Sequence, residues 1–508
     1  MSVANQVIIF GASGDLTARK LIPALASLAQ KKKPAGGFSV IGCARRPKTD
    51  EQFRAELREA MPAELKEAFD VLAPSLFYLA TDVSSAQDVE ALKQKLDALP
   101  GADGGRLFYL SLKPELFGPT VEKLGAGGMI KFVESTGAGE EKAFRRVLIE
   151  KPFGHNLESA IQLNQELHKW LREGQIYRID HYLGKETVQN LLGLRFHNAI
   201  FEPLWNQVHV ELVQITVAED LGMESGRGGY YDSTGALRDM LQNHMLQILA
   251  FIAMEPPSSL DAAAVRSQKI NLLRSLRAPA RDEMAENAVR AQYSAGSVNG
   301  KNVPGYREEE GIARDSQTES FIAVRAEIDS WRWAGVPFLL RHGKRLEKKF
   351  TEVQVQFRMP PLQLFNKPEG LSDDEFRLKL RSGELCQIRP NVLTLSIQPR
   401  EAISLSFGVK TPGNTMVMAP TKMSFDYRDK FGAQTAPAYE RLLLDALIGD
   451  PTLFLHGEEI EASWKFADSI MRSFAEGVPA LESYPAGSAG PETANRLFHG
   501  CEGGWTRG

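Results

Sequence analysis

Short apolar runs alternate with amphipathic stretches through the first third of the chain. Residues 7–10, 38–43, 76–79, 107–112 and 146–150 read as strands, and stretches such as 50–69, apolar at helical spacing, read as helices between them. Regular alternation of strand and helix predicts a parallel, doubly wound sheet, because a parallel partner is reached only through a crossover. From about residue 207 the pattern changes to longer alternating strands at 207–217, 321–327, 352–357, 392–397 and 403–407. These predict a second, α+β domain on a mostly antiparallel sheet. A helical pattern over 156–171 leads into the junction, giving domains 1–179 and 180–508. The Pro- and Gly-rich segment near 484–491 is expected to open a loosely held C-terminal tail.

Composition narrows the classes of function. A chain of 508 residues exceeds what one core serves, and 60 basic against 64 acidic residues leave a net charge of -4. That balance offers no general attraction to nucleic acid or to an anionic membrane, so any anion must be bound locally. Cys43, Cys386 and Cys501 are far apart and form no CxxC pair, which argues against a zinc ribbon or disulfide framework and fits a cytoplasmic protein. The first residues have no basic and apolar leader pattern, and no apolar run is long enough to span a bilayer.

The first strand runs directly into Gly11-Ala12-Ser13-Gly14-Asp15-Leu16 and a helical pattern. Strand, glycine turn and helix start suit a dinucleotide pyrophosphate, although the third and sixth positions depart from GxGxxG and a tight structural turn stays open. After the second strand, where an acid would hold an NAD ribose, stand Arg45 and Arg46. Guanidinium groups can meet the 2′-phosphate of NADP instead, with solvated arginines opening a loop as the rival reading. Lys151 leaves the carboxyl end of a parallel strand within Glu150-Lys151-Pro152-Phe153-Gly154, where it can serve a ligand or be a surface lysine in a turn.

Asp180-His181-Tyr182-Leu183-Gly184-Lys185 gathers an imidazole, a phenol and an ammonium, three donors suited to a phosphate ester. Asp180 suits the orienting of an imidazole elsewhere in the chain. That imidazole is a candidate at His244, placed by helical spacing with Leu237, Leu241 and Ile248 on the packed side of its helix, where an ordinary core histidine is the rival reading. The run Gly226-Arg227-Gly228-Gly229 precedes this helix, and Glu219 and Asp239 offer carboxylates for sugar hydroxyls.

Together GASGDLTARKL (11–21), EKPFG (150–154), RIDHYLGKE (178–186), GRGGYYD, LRDMLQNHMLQ and YPAGS (484–488) resemble the glucose-6-phosphate dehydrogenase family, in the same order along the chain. The resemblance implies oxidation of glucose 6-phosphate at C1 to the 1,5-lactone, with NADP as coenzyme and NAD as a secondary one. It implies His244 as general base with Asp180 as its partner. His181, Tyr182 and Lys185 would hold the phosphate, and Lys151, Glu219, Asp239, Lys344 and Lys349 the sugar. Gly11, Ala12, Ser13, Gly14, Asp15, Leu16, Arg45, Asp82, Val83 and Lys151 would face the coenzyme. It also implies a homodimer or homotetramer joined through the second domain's sheet. Two departures stand out: Asp220-Leu221-Gly222-Met223-Glu224-Ser225 makes the loop after Glu219 one residue longer than the family pattern, and the basic residues after Lys344 match a second, structural NADP site only in part. A rival family, resembling glucose-fructose oxidoreductase, shares Glu-Lys-Pro after a strand but lacks RIDHYLGKE; a non-catalytic NADPH-binding relative would be expected to have lost Asp180 or His244.

Overall fold

The computed structural model describes residues 4–83, 85–131, 143–226, 228–360, 370–381, 390–414, 418–432, 437–499 and 503–508. Arg227 of the glycine-rich approach, Cys386 and Cys501 lie outside the described residues. The chain forms two compact units, one of Met1–Lys185, Pro257–Ser267 and Ala436–Glu461, the other of Glu186–Pro256, Gln268–Thr435 and Ala462–Gly508.

In the first unit, β1 (Asn5–Phe10), β2 (Phe38–Ala44), β3 (Leu76–Ala80), β4 (Arg106–Leu110), β5 (Arg145–Ile149) and β6 (Ile176–Ile179) lie in the order β6-β5-β4-β1-β2-β3. All these neighbours are parallel, and the short strand Phe454–Leu455 closes the β6 edge antiparallel. β1, β4 and β5 are almost wholly buried, as expected of strands covered on both faces. The order reverses between β1 and β4, and such switch points open a ligand crevice at the carboxyl ends of the strands. The stretch expected as one helix over 50–69 is two, Asp50–Ala60 and Lys66–Leu72. Pro62 between them has no N–H to continue the ladder, and Thr49 with Gln52 forms a capping box at the first helix's start.

The second unit is built on a ten-stranded sheet. Its strands are β7 (Val210–Ala218), β8 (Ala288–Ser294), β9 (Phe321–Ile328), β10 (Phe338–Gly343), β11 (Phe350–Phe357), β12 (Val392–Gln398), β13 (Ala402–Lys410), β14 (Met418–Asp426) and β15 (Leu481–Pro485), with Leu276–Arg277 paired to β9. They run in the order β14-β13-β12-β11-β7-β10-β9-β8-β15. Pairing is antiparallel except for β7 with β10 and β8 with β15.

The tail is not loosely held. β15 is a sheet strand, Tyr484 and Leu497 are buried in an aromatic cluster with Tyr293, Tyr306 and Phe321, and Trp505 packs against that cluster. Trp505 Nε1 donates to the Ala494 carbonyl at 3.0 Å and the Arg341 guanidinium lies 4.8 Å from its ring centre. Turn residues marked 484–491 as irregular, but aromatic burial decides whether an irregular segment is held.

Candidate active site

The predicted residues fall into two sets, one in each unit. In the first unit the glycine turn follows β1 at the switch point. Gly11 has φ +79°, and a Cβ added there would stand 2.0 Å from the Ser111 carbonyl oxygen just after β4. Only glycine fits this approach. The Gly11 and Ala12 amides both donate to the Cys43 carbonyl, at 2.9 and 3.1 Å, and Gly14 N–H closes the turn on the Gly11 carbonyl at 2.9 Å. Ser13, Gly14 and Asp15 are exposed, Leu16 is half-buried, and helical turns run from Thr17 to Gln30. This backbone turn at a helix start fits a dinucleotide pyrophosphate. Arg45 and Arg46 are exposed beyond β2, with the Arg46 carbonyl held by the Tyr78 hydroxyl at 2.6 Å. Asp82 is exposed and Val83 half-buried in the loop after β3.

Lys151 leaves β5 half-buried, behind a more deeply set Glu150. Burial raises the Glu150 carboxyl above its usual range, while the Tyr109 hydroxyl and the Tyr439 hydroxyl, the latter at 3.1 Å, donate to it. Asp180 is 2% exposed. Its Oδ1 accepts the Tyr182 amide at 2.9 Å and its carbonyl accepts the Leu183 amide at 3.0 Å, so 180–185 is wound into a tight turn. The turn packs on the start of the helix Ala438–Ile448: a Cβ on Gly184 would meet the Ala438 carbonyl oxygen at 2.9 Å. The His181 ring stacks on Tyr439, centres 6.5 Å apart, and the Lys185 ammonium lies 4.2 Å from the Tyr182 ring centre. One turn therefore brings His181, Tyr182 and Lys185 together. Tyr439, which touches both His181 and Glu150, carried no sequence signal because it is more than 250 residues away in the chain.

In the second unit His244 is 1% exposed, in a helical segment that is a π-helix from Leu237 to Met245 and an α-helix from Leu246 to Ala253. Wide turns of this kind recur at functional sites. Both ends of the segment are fixed. Glu319 Oε1 accepts the Leu237 amide at 2.9 Å and its carbonyl accepts the Ala236 amide at 3.0 Å. At the other end the carbonyls of Phe251, Ile252, Ala253 and Met254 accept from Arg195, Trp205, Trp333 and Arg195 again, at 2.6–3.0 Å. Carbonyls that a helix end leaves unpaired are thus satisfied by buried side chains.

Glu219 and Lys344 extend the parallel pairing of β7 and β10 by one step, and their side chains form an ion pair of 2.6 Å. Burial works to raise the Glu219 carboxyl, but the Lys344 charge beside it holds it below the usual range. The loop after Glu219 is tied down at both ends. The Glu219 amide donates to the Gly343 carbonyl at 3.0 Å, its carbonyl accepts from Leu346 at 2.9 Å, and Arg345 ties the loop through Glu224 at 2.8 Å. The Tyr484 hydroxyl donates to the Lys344 carbonyl at 2.5 Å, which gives YPAGS a structural purpose. Asp239 is half-buried within electrostatic reach of Glu219, whereas Lys349 is exposed before β11.

Residues 8–190 match the family model "Glucose-6-phosphate dehydrogenase, NAD binding domain", and residues 192–506 match "Glucose-6-phosphate dehydrogenase, C-terminal domain". The chain is 42% identical to "Glucose-6-phosphate 1-dehydrogenase" of Aggregatibacter actinomycetemcomitans, covering 99% of this chain and 97% of that protein. It is 40% identical to the protein of the same name in Bacillus subtilis, covering 97% and 96%. A solved "Glucose-6-phosphate dehydrogenase in complex with its substrate glucose-6-phosphate" superposes with TM-score 0.84 at 33% identity, covering 99% of this chain and 98% of that one. The Mycobacterium avium enzyme superposes with TM-score 0.80 at 34% identity, covering 100% and 99%. The chain belongs to the glucose-6-phosphate dehydrogenase family, oxidoreductases with a dinucleotide-binding first domain.

Proposed function

We propose that the protein oxidises D-glucose 6-phosphate to 6-phospho-D-glucono-1,5-lactone with NADP as the preferred coenzyme, in the cytoplasm, as the first step of the oxidative pentose phosphate route. The observation that carries the reading is the likeness to a substrate-bound relative along nearly the whole chain, with the motifs quoted above in order along it. His181, Tyr182 and Lys185 offer three donors to the 6-phosphate from one turn, and the phosphate serves as the remote handle whose binding energy aligns the ring. Lys151, Glu219, Asp239, Lys344 and Lys349 hold the sugar hydroxyls. His244 takes the C1-hydroxyl proton on a ring nitrogen as the C1–H bond breaks, with Asp180 as the carboxylate that sets its tautomer. The bound nicotinamide supplies the two-electron acceptor. Gly11, Ala12, Ser13, Gly14, Asp15, Leu16, Asp82, Val83 and Lys151 receive the coenzyme. Arg45, exposed where an acid would repel a 2′-phosphate, favours NADP over NAD.

A domain junction near 179–180, with 257–267 and 436–461 returning to the first unit, and a homodimer or homotetramer complete the reading. Val409 and Met423 on the outer strands β13 and β14 are exposed, as strands awaiting a second copy would be. The test is absorbance at 340 nm with glucose 6-phosphate and NADP or NAD. Wild type should reduce NADP, and His244→Asn should lose about 10² to 10⁴ in kcat, the usual worth of a general base. A wild type that reduces neither coenzyme sinks the function, and a fully active His244→Asn sinks the assigned base.

A further inference from the structure

Two buried groups beside Lys344 have no part in the scheme above. His342 is completely buried on β10, two residues before Lys344, so both start from the same side of the sheet. Its Nδ1 lies 2.8 Å from the Val217 carbonyl. A carbonyl only accepts, so Nδ1 carries the proton and Nε2 presents a bare lone pair. Nε2 has no hydrogen-bond partner among the described residues. The charges that act on this ring are those of Glu219, Lys344 and Asp239. Burial keeps the imidazole neutral, with its pKa lowered to about 4. Tyr231, 3% exposed, is the second group: the Lys344 ammonium is 4.8 Å from its ring centre, and its hydroxyl also has no partner among the described residues.

We propose that His342 and Tyr231 are positioning residues for Lys344, an aromatic face and a neutral imidazole nearby steering its ammonium, which Glu219 holds at 2.6 Å, so that a further donor stays aimed at a sugar hydroxyl. A lysine side chain has four flexible carbons and three rotating donors, and one carboxylate at 2.6 Å fixes only one of them. A ring face attracts the cation without taking a proton from it. A neutral imidazole nearby adds no positive charge, where a protonated one would repel the ammonium. The proposal rests on the reading of Lys344 as a sugar ligand.

The experiment is a double-mutant cycle on KM and kcat for glucose 6-phosphate, using His342→Leu, Tyr231→Leu and Lys344→Met, with His342→Gln and Tyr231→Phe as conservative variants. Lys344→Met should raise KM. His342→Leu and Tyr231→Leu should each raise KM about tenfold with kcat within about threefold, the signature of lost binding without lost chemistry. His342→Gln, which keeps an acceptor, and Tyr231→Phe, which keeps the ring, should recover most of that loss. In the Lys344→Met background either leucine change should add less than about twofold, since residues acting through a shared partner are not additive. Equal effects of the leucine changes with and without Lys344 overturn the proposal, as does a loss of melting temperature and kcat with KM unmoved. An unchanged KM in Lys344→Met overturns it as well, because the cradle then serves no ligand. Failure of the underlying function is seen separately, in a wild type inactive on glucose 6-phosphate.

Discussion

The glycine turn after β1 and the cluster around Lys344 both stand at the carboxyl ends of strands, yet they are made differently. The turn is six contiguous residues that act through backbone groups, shaped by the approach of Gly11 to the Ser111 carbonyl. The cluster is made of side chains at 219, 231, 239, 342 and 344, brought together by the pairing of β7 with β10 and by the fixed helical segment above. A site built of backbone cannot be altered without disturbing the fold. A site built of side chains loses function one residue at a time.

Gly11→Ala tests the first half of that contrast and has the largest expected effect on stability. A left-handed φ of +79° costs a residue with a Cβ about 1–2 kcal/mol, and the backbone clash adds to it. Urea unfolding should show a loss of about 3 kcal/mol or more, in the range of severe single substitutions, together with weaker coenzyme binding. Lys344→Met strands the mostly buried Glu219 carboxylate but leaves the backbone untouched, so its loss should be smaller than that of Gly11→Ala. A Gly11→Ala protein as stable as wild type would remove the distinction.

The same difference explains what the sequence disclosed. Gly11–Leu16 and Asp180–Lys185 are local, so their residue types and spacing marked them as candidate sites, and the strand runs around them gave the parallel sheet. Tyr439, His342 and Tyr231 take their significance from tertiary neighbours, which no spacing reveals. The place of His244 on the packed side was readable from periodicity, but the π-turns that carry it were not. The return of Ala436–Glu461 to the first unit, supplying the edge strand Phe454–Leu455, was equally hidden, because a two-residue strand has no pattern. The 484–491 segment misled because turn residues report local irregularity and say nothing of the aromatic cluster that holds Tyr484.

Acid sensitivity sharpens the contrast next. In the unfolded chain a histidine takes up a proton near pH 6.5, whereas burial holds the folded His342 neutral down to about 4. Between those values the unfolded state binds more protons, so the stability due to neutral His342, full above pH 6.5, falls as pH drops and is gone below about 4. A shift of this size corresponds to roughly 3 kcal/mol. His342→Gln should flatten the fall of unfolding free energy between pH 6.5 and 4.5. Below that window Glu173 takes over: burial works to raise its carboxyl, but Arg178 carries it down to about 2, so its stabilisation is lost as pH falls from about 4.5 toward 2. Parallel pH profiles for wild type and His342→Gln would show that the imidazole is not held neutral by the fold.

Arg45 is a proposed coenzyme contact of the other kind, one that would act through its side chain. It is exposed, so its removal should leave the unfolding midpoint unchanged. If its guanidinium meets the 2′-phosphate as proposed, it meets a group NAD lacks. Arg45→Ala should therefore raise KM for NADP about tenfold, equivalent to about 1.4 kcal/mol, and leave KM for NAD within about twofold. The glycine turn, by contrast, is proposed to meet the pyrophosphate common to both coenzymes, so any variant tolerated there should weaken NADP and NAD alike. An Arg45→Ala protein with equal losses toward both would place that arginine with the turn, as part of a general phosphate site, and would move the choice of coenzyme to Arg46 or elsewhere.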